Sequence, residues 1–192
     1  MPMITADDAL SIALDLARLL RSHGISYAIG GALAFGVWAE PRATLDVDVN
    51  VFVDDADMER LAHCLRAAGI EAEVNSLRQQ SEAAGLIVVR WRGLRIDLFT
   101  PSIPFSREAE RTRVSIERGG EEFWFLSREA IAVFKLLFFR PKDLADLARL
   151  VADAGSALDV GYVRERIVEM MGDDDERVAR WDRIVGSMGR SV

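Results

Sequence analysis

The stretch RATLDVDVNVFV, residues 42–53, carries the pattern on which the fold and the site depend. Its valines alternate with other residues, which is typical of a strand that buries one face. The opposite face begins with Asp46, Asp48 and Asn50. Because side chains two positions apart on a strand point the same way, the two carboxylates lie about 7 Å apart and repel each other. A magnesium ion, which prefers oxygen ligands, would remove that conflict.

Three other structures would account for parts of this pattern. A solvated face of an antiparallel strand produces the same alternation. A calcium loop of the EF-hand type fits only in its first half, because Val51 stands where that loop needs Gly and Asp57 where it needs Glu. Gly31 and Gly36 have the spacing of a phosphate-binding P-loop, but Val37 replaces the lysine that such a loop requires. The residues alone leave the metal site and the solvated face open.

Composition and charge set the general class of the protein. The chain has 192 residues, of which 50% are hydrophobic, enough for a substantial core in one domain or a small pair of lobes. Its net charge of -7 argues against a broad electrostatic grip on nucleic acid. The single cysteine, Cys64, cannot form an internal disulfide and fits a reducing compartment. Since no apolar run approaches the roughly 18 residues that span a bilayer, we expect a cytoplasmic protein without a membrane partner.

The first part of the chain mixes helical and strand-like segments. Apolar spacing predicts a helix over residues 6–22. Five strand-like runs follow: ISYAI (25–29), LDVDVNVFV (45–53), IEAEV (70–74), LIVVRW (86–91) and LRIDLF (94–99). Arg92-Gly93 predicts a turn between the last two, and the Gly119-Gly120 pair predicts a further hairpin within residues 114–126.

From Ser127 onward the pattern is helical, in SREAIAVFKLLFFR and again in PKDLADLARLVADAG. Pro141 disfavours helical geometry at Arg140, which predicts a break there and a new helix from Pro141. We therefore expect an α+β fold in which a mixed-sheet lobe, residues 1–126, is followed by a C-terminal helical lobe, residues 127–192.

A third acid and a glycine pair accompany the two aspartates. Asp97 lies in the strand-like run LRIDLF, where Ile96 and Leu98 point away from it. Gly30-Gly31 lies between a buried strand and a predicted helix, where glycine permits close backbone approach and a helix start offers N–H groups to an anion. Together these features indicate a triad of carboxylates beside a phosphate cradle.

This arrangement resembles the nucleotidyltransferase superfamily built on the DNA polymerase β-type palm, whose signature is a glycine pair, a pair of aspartates on one strand and a third carboxylate on a neighbouring strand. More narrowly, IGGALAFGVWAEPRATLDVDV, residues 29–49, is similar to the first motif of the AbiEii-type abortive-infection toxins. KLLFFRPKDLADL, residues 135–147, is similar to their second motif. The resemblance spans residues 25–148.

The resemblance implies an enzyme that transfers a nucleotide from a nucleoside triphosphate, such as ATP, to a hydroxyl or phosphate acceptor with the help of two magnesium ions. It implies that Asp46 and Asp48 hold both ions and that Asp97 holds one and helps take the acceptor's proton. The residues implied to contact the triphosphate are Gly30, Gly31, Arg42, Thr44 and Lys135.

The sequence leaves the acceptor open. The resemblance implies an RNA acceptor such as transfer RNA, with the chain acting as the toxin of a toxin–antitoxin pair beside a cognate antitoxin. A small antibiotic-type acceptor, or a non-catalytic member that binds a nucleotide or a partner, are the alternatives. Lys142, Asp143 and Asp146 match the second motif, but acids near a helix start stabilise the helix dipole, so a structural role is expected for the two aspartates.

Overall fold

A computed structural model describes residues 6–188 of the chain. The chain divides into two compact units. The first contains the chain up to Ala34 and Arg42–Leu126, and the second contains Phe35–Pro41 and the chain from Ser127 onward. The short segment Phe35–Pro41 therefore belongs with the later part of the sequence, although it comes early in the chain.

The first unit contains all six strands of the described part of the chain. They are β1 (Tyr27–Ile29), β2 (Asp46–Val51), β3 (Leu86–Trp91), β4 (Leu94–Phe99), β5 (Val114–Arg118) and β6 (Glu121–Phe125). The helices up to β6 are α1 (Ala6–Ser22), α2 (Gly31–Trp38), α3 (Met58–Ala67), α4 (Val74–Ala84) and α5 (Phe105–Arg111). Helix α2 begins in the first unit and ends in the second.

The strands form one mixed sheet in the order β3-β4-β2-β1-β6-β5. Strands β2 and β4 run parallel, as do β1 and β6, and the other neighbours are antiparallel. The valines at 47, 49 and 51 of β2 are fully buried and Asp46 is exposed, as the alternation predicted, but Asn50 on the opposite face is buried as well. Helix α1 packs against β1 and β2 and also contacts α3. A mixed sheet with helices confirms the expected α+β class.

Both predicted hairpins are confirmed, and backbone geometry gives the reason. Arg92 and Gly93 join β3 to β4 with φ of 49° and 85°, and Gly119 and Gly120 join β5 to β6 with φ of 63° and 82°. Two consecutive residues with positive φ are characteristic of the two-residue turn whose twist matches an antiparallel pair.

The strand predicted for IEAEV, residues 70–74, is wrong. Val74 is the first residue of α4, and the backbone before it bonds to the end of α3. The amide of Ile70 donates to the carbonyl of Leu65 at 3.0 Å, and Arg66 donates to the carbonyl of Ala72 at 2.7 Å. The residues after Val74 include Leu, Arg, Gln, Glu and Ala, which favour a helix.

The second unit contains α6 (Arg128–Phe138), α7 (Pro141–Ala154), α8 (Val160–Met171) and α9 (Glu176–Met188). The hydroxyl of Ser127 accepts a hydrogen bond from the amide of Ala130 at 3.1 Å and so caps α6. The predicted break before Pro141 is confirmed, because α6 ends at Phe138 and Arg140 has extended geometry with ψ of 155°. Across residues 6–188, the helices are too short or too polar to cross a membrane.

Candidate active site

The three predicted carboxylates lie on one face of the sheet. Asp46 and Asp48 alternate with the buried valines of β2 and therefore point away from the core. Asp48 is the register partner of Asp97 on the neighbouring parallel strand β4. Adjacent strands lie about 4.8 Å apart, so the backbones of Asp48 and Asp97 are close neighbours although they are distant in sequence. Asp97 is half-buried, with 14% of its side chain exposed.

The glycine pair follows β1 and lies against Asp48. The amide of Gly30 donates to the carbonyl of Asp48 at 2.8 Å, which fixes this turn to β2. Gly31 has φ of +53°, and a Cβ built on it would lie 1.8 Å from Oδ2 of Asp48. Only glycine can occupy this position without moving that carboxylate. Asp48 therefore closely approaches the backbone of Gly31. Contact of Gly30 and Gly31 with a triphosphate stays a prediction.

An arginine that the sequence reasoning overlooked lies among the carboxylates. Arg95 stands two positions before Asp97 on β4 and is the register partner of Asp46. Its Nε donates to Oδ1 of Asp97 at 2.7 Å, and its Nη2 donates to Oδ2 at 3.1 Å. The pKa of Arg95 is raised, first by this hydrogen bond and then by the charge of Asp97, with smaller contributions from Asp46 and Asp48. The sequence signal was present, since side chains two apart on a strand share a face.

The chemistry of these side chains suits magnesium, because carboxylate oxygens are among the ligands that this ion binds. As the side chains stand within the described residues, no three His, Cys, Asp or Glu groups gather around one point closely enough to hold a metal ion. Asp97 directs both its oxygens to Arg95. Asp46 and Asp48, on one strand face beside Asp97, are the residues that could hold such an ion. Their assignment as metal ligands, together with Asp97, stays a prediction.

Thr44 and Arg42 lie in the segment that leads into β2. The hydroxyl of Thr44 donates to the carbonyl of Asp46 at 3.2 Å and accepts from the amide of Asp46 at 3.3 Å. These bonds hold the start of the strand, so Thr44 positions Asp46. Arg42 is half-buried in the same segment. Contact of either residue with a phosphate stays a prediction.

Lys135 is buried within the second unit, with 6% of the residue exposed. Its Nζ lies 2.6 Å from Oδ2 of Asp146 and 3.5 Å from Oδ1 of Asp143. Arg140 and Arg149 also pair with these aspartates, at 2.6 Å and 3.1 Å. Asp143 and Asp146 therefore form ion pairs around a buried lysine, whereas the role expected from the sequence was to stabilise the helix dipole. Contact of Lys135 with a triphosphate stays a prediction from the resemblance.

Comparison with known proteins identifies the fold. No protein-family model matches the chain, and no curated protein matches it in sequence. An antigenic nucleotidyltransferase-like protein from Paracoccidioides brasiliensis is similar with a TM-score of 0.54 and 18% identity, over 92% of this chain and 94% of that one. The antibiotic-resistance factor ANT(2'')-Ia in solution is similar with a TM-score of 0.58 and 12% identity, over 86% and 94%.

A crystal structure of ANT(2'')-Ia in complex with adenylyl-2''-tobramycin is similar with a TM-score of 0.57 and 12% identity, over 84% of this chain and 97% of that one. At such low identity the similarity shows the fold alone. The chain therefore has the nucleotidyltransferase fold, which agrees with the superfamily resemblance.

Proposed function

We propose that the chain is a magnesium-dependent nucleotidyltransferase that moves a nucleoside monophosphate from a nucleoside triphosphate to a hydroxyl or phosphate acceptor. The observation that carries this proposal is the register pairing of Asp48 with Asp97 on one sheet face, with Gly31 packed against the carboxylate of Asp48. The shared fold of the nucleotidyltransferase structures supports it.

In this proposal each group acts on a different part of the substrate. The first turn of α2 has backbone N–H groups without intrahelical partners, which can bind the anionic oxygens of the triphosphate. Asp46 and Asp48 would hold the magnesium ions, and Asp97 would hold one of them. Asp97 also accepts the proton that the attacking hydroxyl loses.

The reaction forms one bond and breaks one. The acceptor oxygen attacks the α-phosphorus of the triphosphate, the bond from that phosphorus to the bridging oxygen breaks, and pyrophosphate leaves with the electron pair. Magnesium, when bound, stabilises the negative charge on the attacking and leaving oxygens. The residues of this chain supply orientation and the proton acceptor.

For the acceptor, we propose an RNA end, such as that of transfer RNA, as for the toxin of a toxin–antitoxin pair with a cognate antitoxin. The support is the AbiEii-type motif in residues 29–49. A small antibiotic-type acceptor is the second candidate, favoured by the similar fold of a protein in complex with adenylyl-2''-tobramycin. Either substrate class agrees with the predicted cytoplasmic location.

The test is transfer of label from each of the four α-³²P-labelled nucleoside triphosphates, with magnesium, in the presence of either bulk transfer RNA or a panel of aminoglycosides and lincosamides. Label on RNA supports the toxin reaction, and label on a small molecule supports the alternative. Isothermal titration with the same triphosphates should show binding by the wild-type protein and its loss in Asp46→Ala. Binding without transfer to any acceptor supports a non-catalytic member, and equal binding by both proteins refutes the metal role.

A further inference from the structure

Arg95 places a permanent positive charge among the three candidate ligands. It contacts Asp97 through two hydrogen bonds and stands beside Asp46 in the sheet register. A guanidinium group does not lose its proton in proteins, so this charge cannot be removed by a change of pH. Arg95 therefore already offsets part of the repulsion among the carboxylates, which a bound metal ion would also offset.

The hydrogen-bond geometry and the exposure of the two side chains indicate how strongly Arg95 is bound to Asp97. The fork of the Arg95 guanidinium matches the carboxylate of Asp97, which makes the pair specific. However, 46% of the Arg95 side chain is exposed, so water screens the attraction and can solvate the released guanidinium. Asp97, at 14% exposure, is the more buried member of the pair. Arg95 is therefore the member that can move away.

We propose that Arg95 is a built-in counter-ion that competes with a divalent cation for the carboxylate of Asp97. This inference rests on the proposed metal role of Asp46, Asp48 and Asp97. Entry of the cation displaces the guanidinium from Asp97, and the two oxygens of Asp97 become available as ligands. Arg95 acts through Asp97 and is a positioning residue: it holds the carboxylate of Asp97 in place while lowering the affinity of the site for the cation.

The chain offers a matched control on the next strand. Arg90 on β3 is the register partner of Arg95, is exposed and carries the same charge. A general effect of charge would appear in Arg90→Gln and Arg95→Gln alike. Specific competition for Asp97 would appear in Arg95→Gln alone, because glutamine has a similar polar end but no charge.

The experiment measures binding of Mn²⁺ alone, by electron paramagnetic resonance of the free ion, to the wild type, Arg95→Gln, Arg90→Gln and Asp48→Asn. We expect Arg95→Gln to bind Mn²⁺ roughly fivefold more tightly than the wild type, because in the variant the cation does not have to break a partly exposed ion pair. Arg90→Gln should change the affinity less than about twofold. Unchanged or weaker binding by Arg95→Gln overturns the proposal.

Thermal unfolding gives a second readout that does not depend on activity. Without added metal, Arg95→Gln should unfold at a lower temperature than the wild type, and Mn²⁺ should raise its unfolding temperature more than that of the wild type. Arg95→Lys keeps the charge but loses the two-pronged contact, so its unfolding temperature and its Mn²⁺ affinity should lie between those of the wild type and Arg95→Gln. Arg95→Lys is also the variant to measure if Arg95→Gln does not fold. An Mn²⁺ affinity of Arg95→Lys equal to that of the wild type would also overturn the proposal.

The two proposals fail in different ways. If the wild type binds Mn²⁺ and Asp48→Asn does not, while Arg95→Gln shows no tightening, only the counter-ion role is lost. If the wild type and Asp48→Asn bind Mn²⁺ equally weakly, the proposed metal site is lost and the counter-ion role with it.

Discussion

Asp48 lies against Gly31 so closely that a methyl group on Gly31 would overlap the carboxylate, at 1.8 Å from Oδ2 and 2.4 Å from Cγ. Gly31 also has positive φ, which disfavours any residue with a side chain. This one position therefore links the turn after β1 to the candidate metal ligand on β2.

Gly31→Ala should weaken Mn²⁺ binding by at least about tenfold, because the displaced carboxylate can no longer take its place in the site. The control is Gly24→Ala, at which φ is +65° but no atom lies within 4 Å of the added methyl group. That variant should lose about 1 kcal/mol of stability through backbone strain and bind Mn²⁺ as the wild type does. Equal binding by both variants would show that the Asp48 contact is irrelevant to the metal.

Asp97→Asn should lower kcat about 10²–10⁴-fold and change the dissociation constant of the nucleoside triphosphate less than about threefold. The reason is that Asp97 is proposed to act on the acceptor hydroxyl, whereas Asp46 and Asp48 hold the substrate's metal. Steady-state kinetics and isothermal titration measure the two quantities. Glu117→Gln, which removes an exposed carboxylate of β5, should leave both unchanged. A loss of nucleotide binding as large as the loss of rate would contradict this division of roles.

Lys135 and Asp146 should be strongly coupled in stability. Asp146→Ala alone leaves a buried ammonium with weaker compensation and should cost about 3–5 kcal/mol in the free energy of unfolding. The double variant Lys135→Met, Asp146→Leu should lose less free energy of unfolding than the two single variants together, by about 1–3 kcal/mol. Urea denaturation provides these values.

The control for that cycle is Arg149→Ala, because 45% of the Arg149 side chain is exposed and its pairing with Asp146 is screened by water. It should cost no more than about 1 kcal/mol. Strictly additive losses for Lys135 and Asp146 would rule out the buried pair.

Cys64 should resist thiol reagents in the native protein. Its side chain is fully buried, and burial raises the pKa of its thiol to about 11. At pH 8 only about one thiol in a thousand is then ionised, and the thiolate is the reactive form. Labelling with Ellman's reagent should be at least about a hundredfold slower than in guanidinium chloride. Rapid labelling of a chain that circular dichroism shows to be folded would disprove this.

Features with a local cause were predictable from the sequence. The two hairpins follow from glycine-containing turns, and the break before Pro141 follows from the steric effect of proline on Arg140. The strand predicted for IEAEV is wrong because short apolar alternation is typical of a strand but does not decide this segment. Contacts with α3 and the residues that follow Val74 determine its structure. The end of α3 binds its backbone, and Val74 belongs to a helix whose remaining residues favour that structure.

The sequence by itself determined which side chains share a face: Asp46 with Asp48 on one strand, and Arg95 with Asp97 on another, because alternation along a strand is a local rule. Only the tertiary structure decided that β2 and β4 lie side by side and parallel, so that Asp48 faces Asp97 and Arg95 stands beside Asp46. Parallel strands are joined by long crossover connections, and their pairing and register depend on packing between residues far apart in the chain. That pairing is what places a positive charge among the three carboxylates.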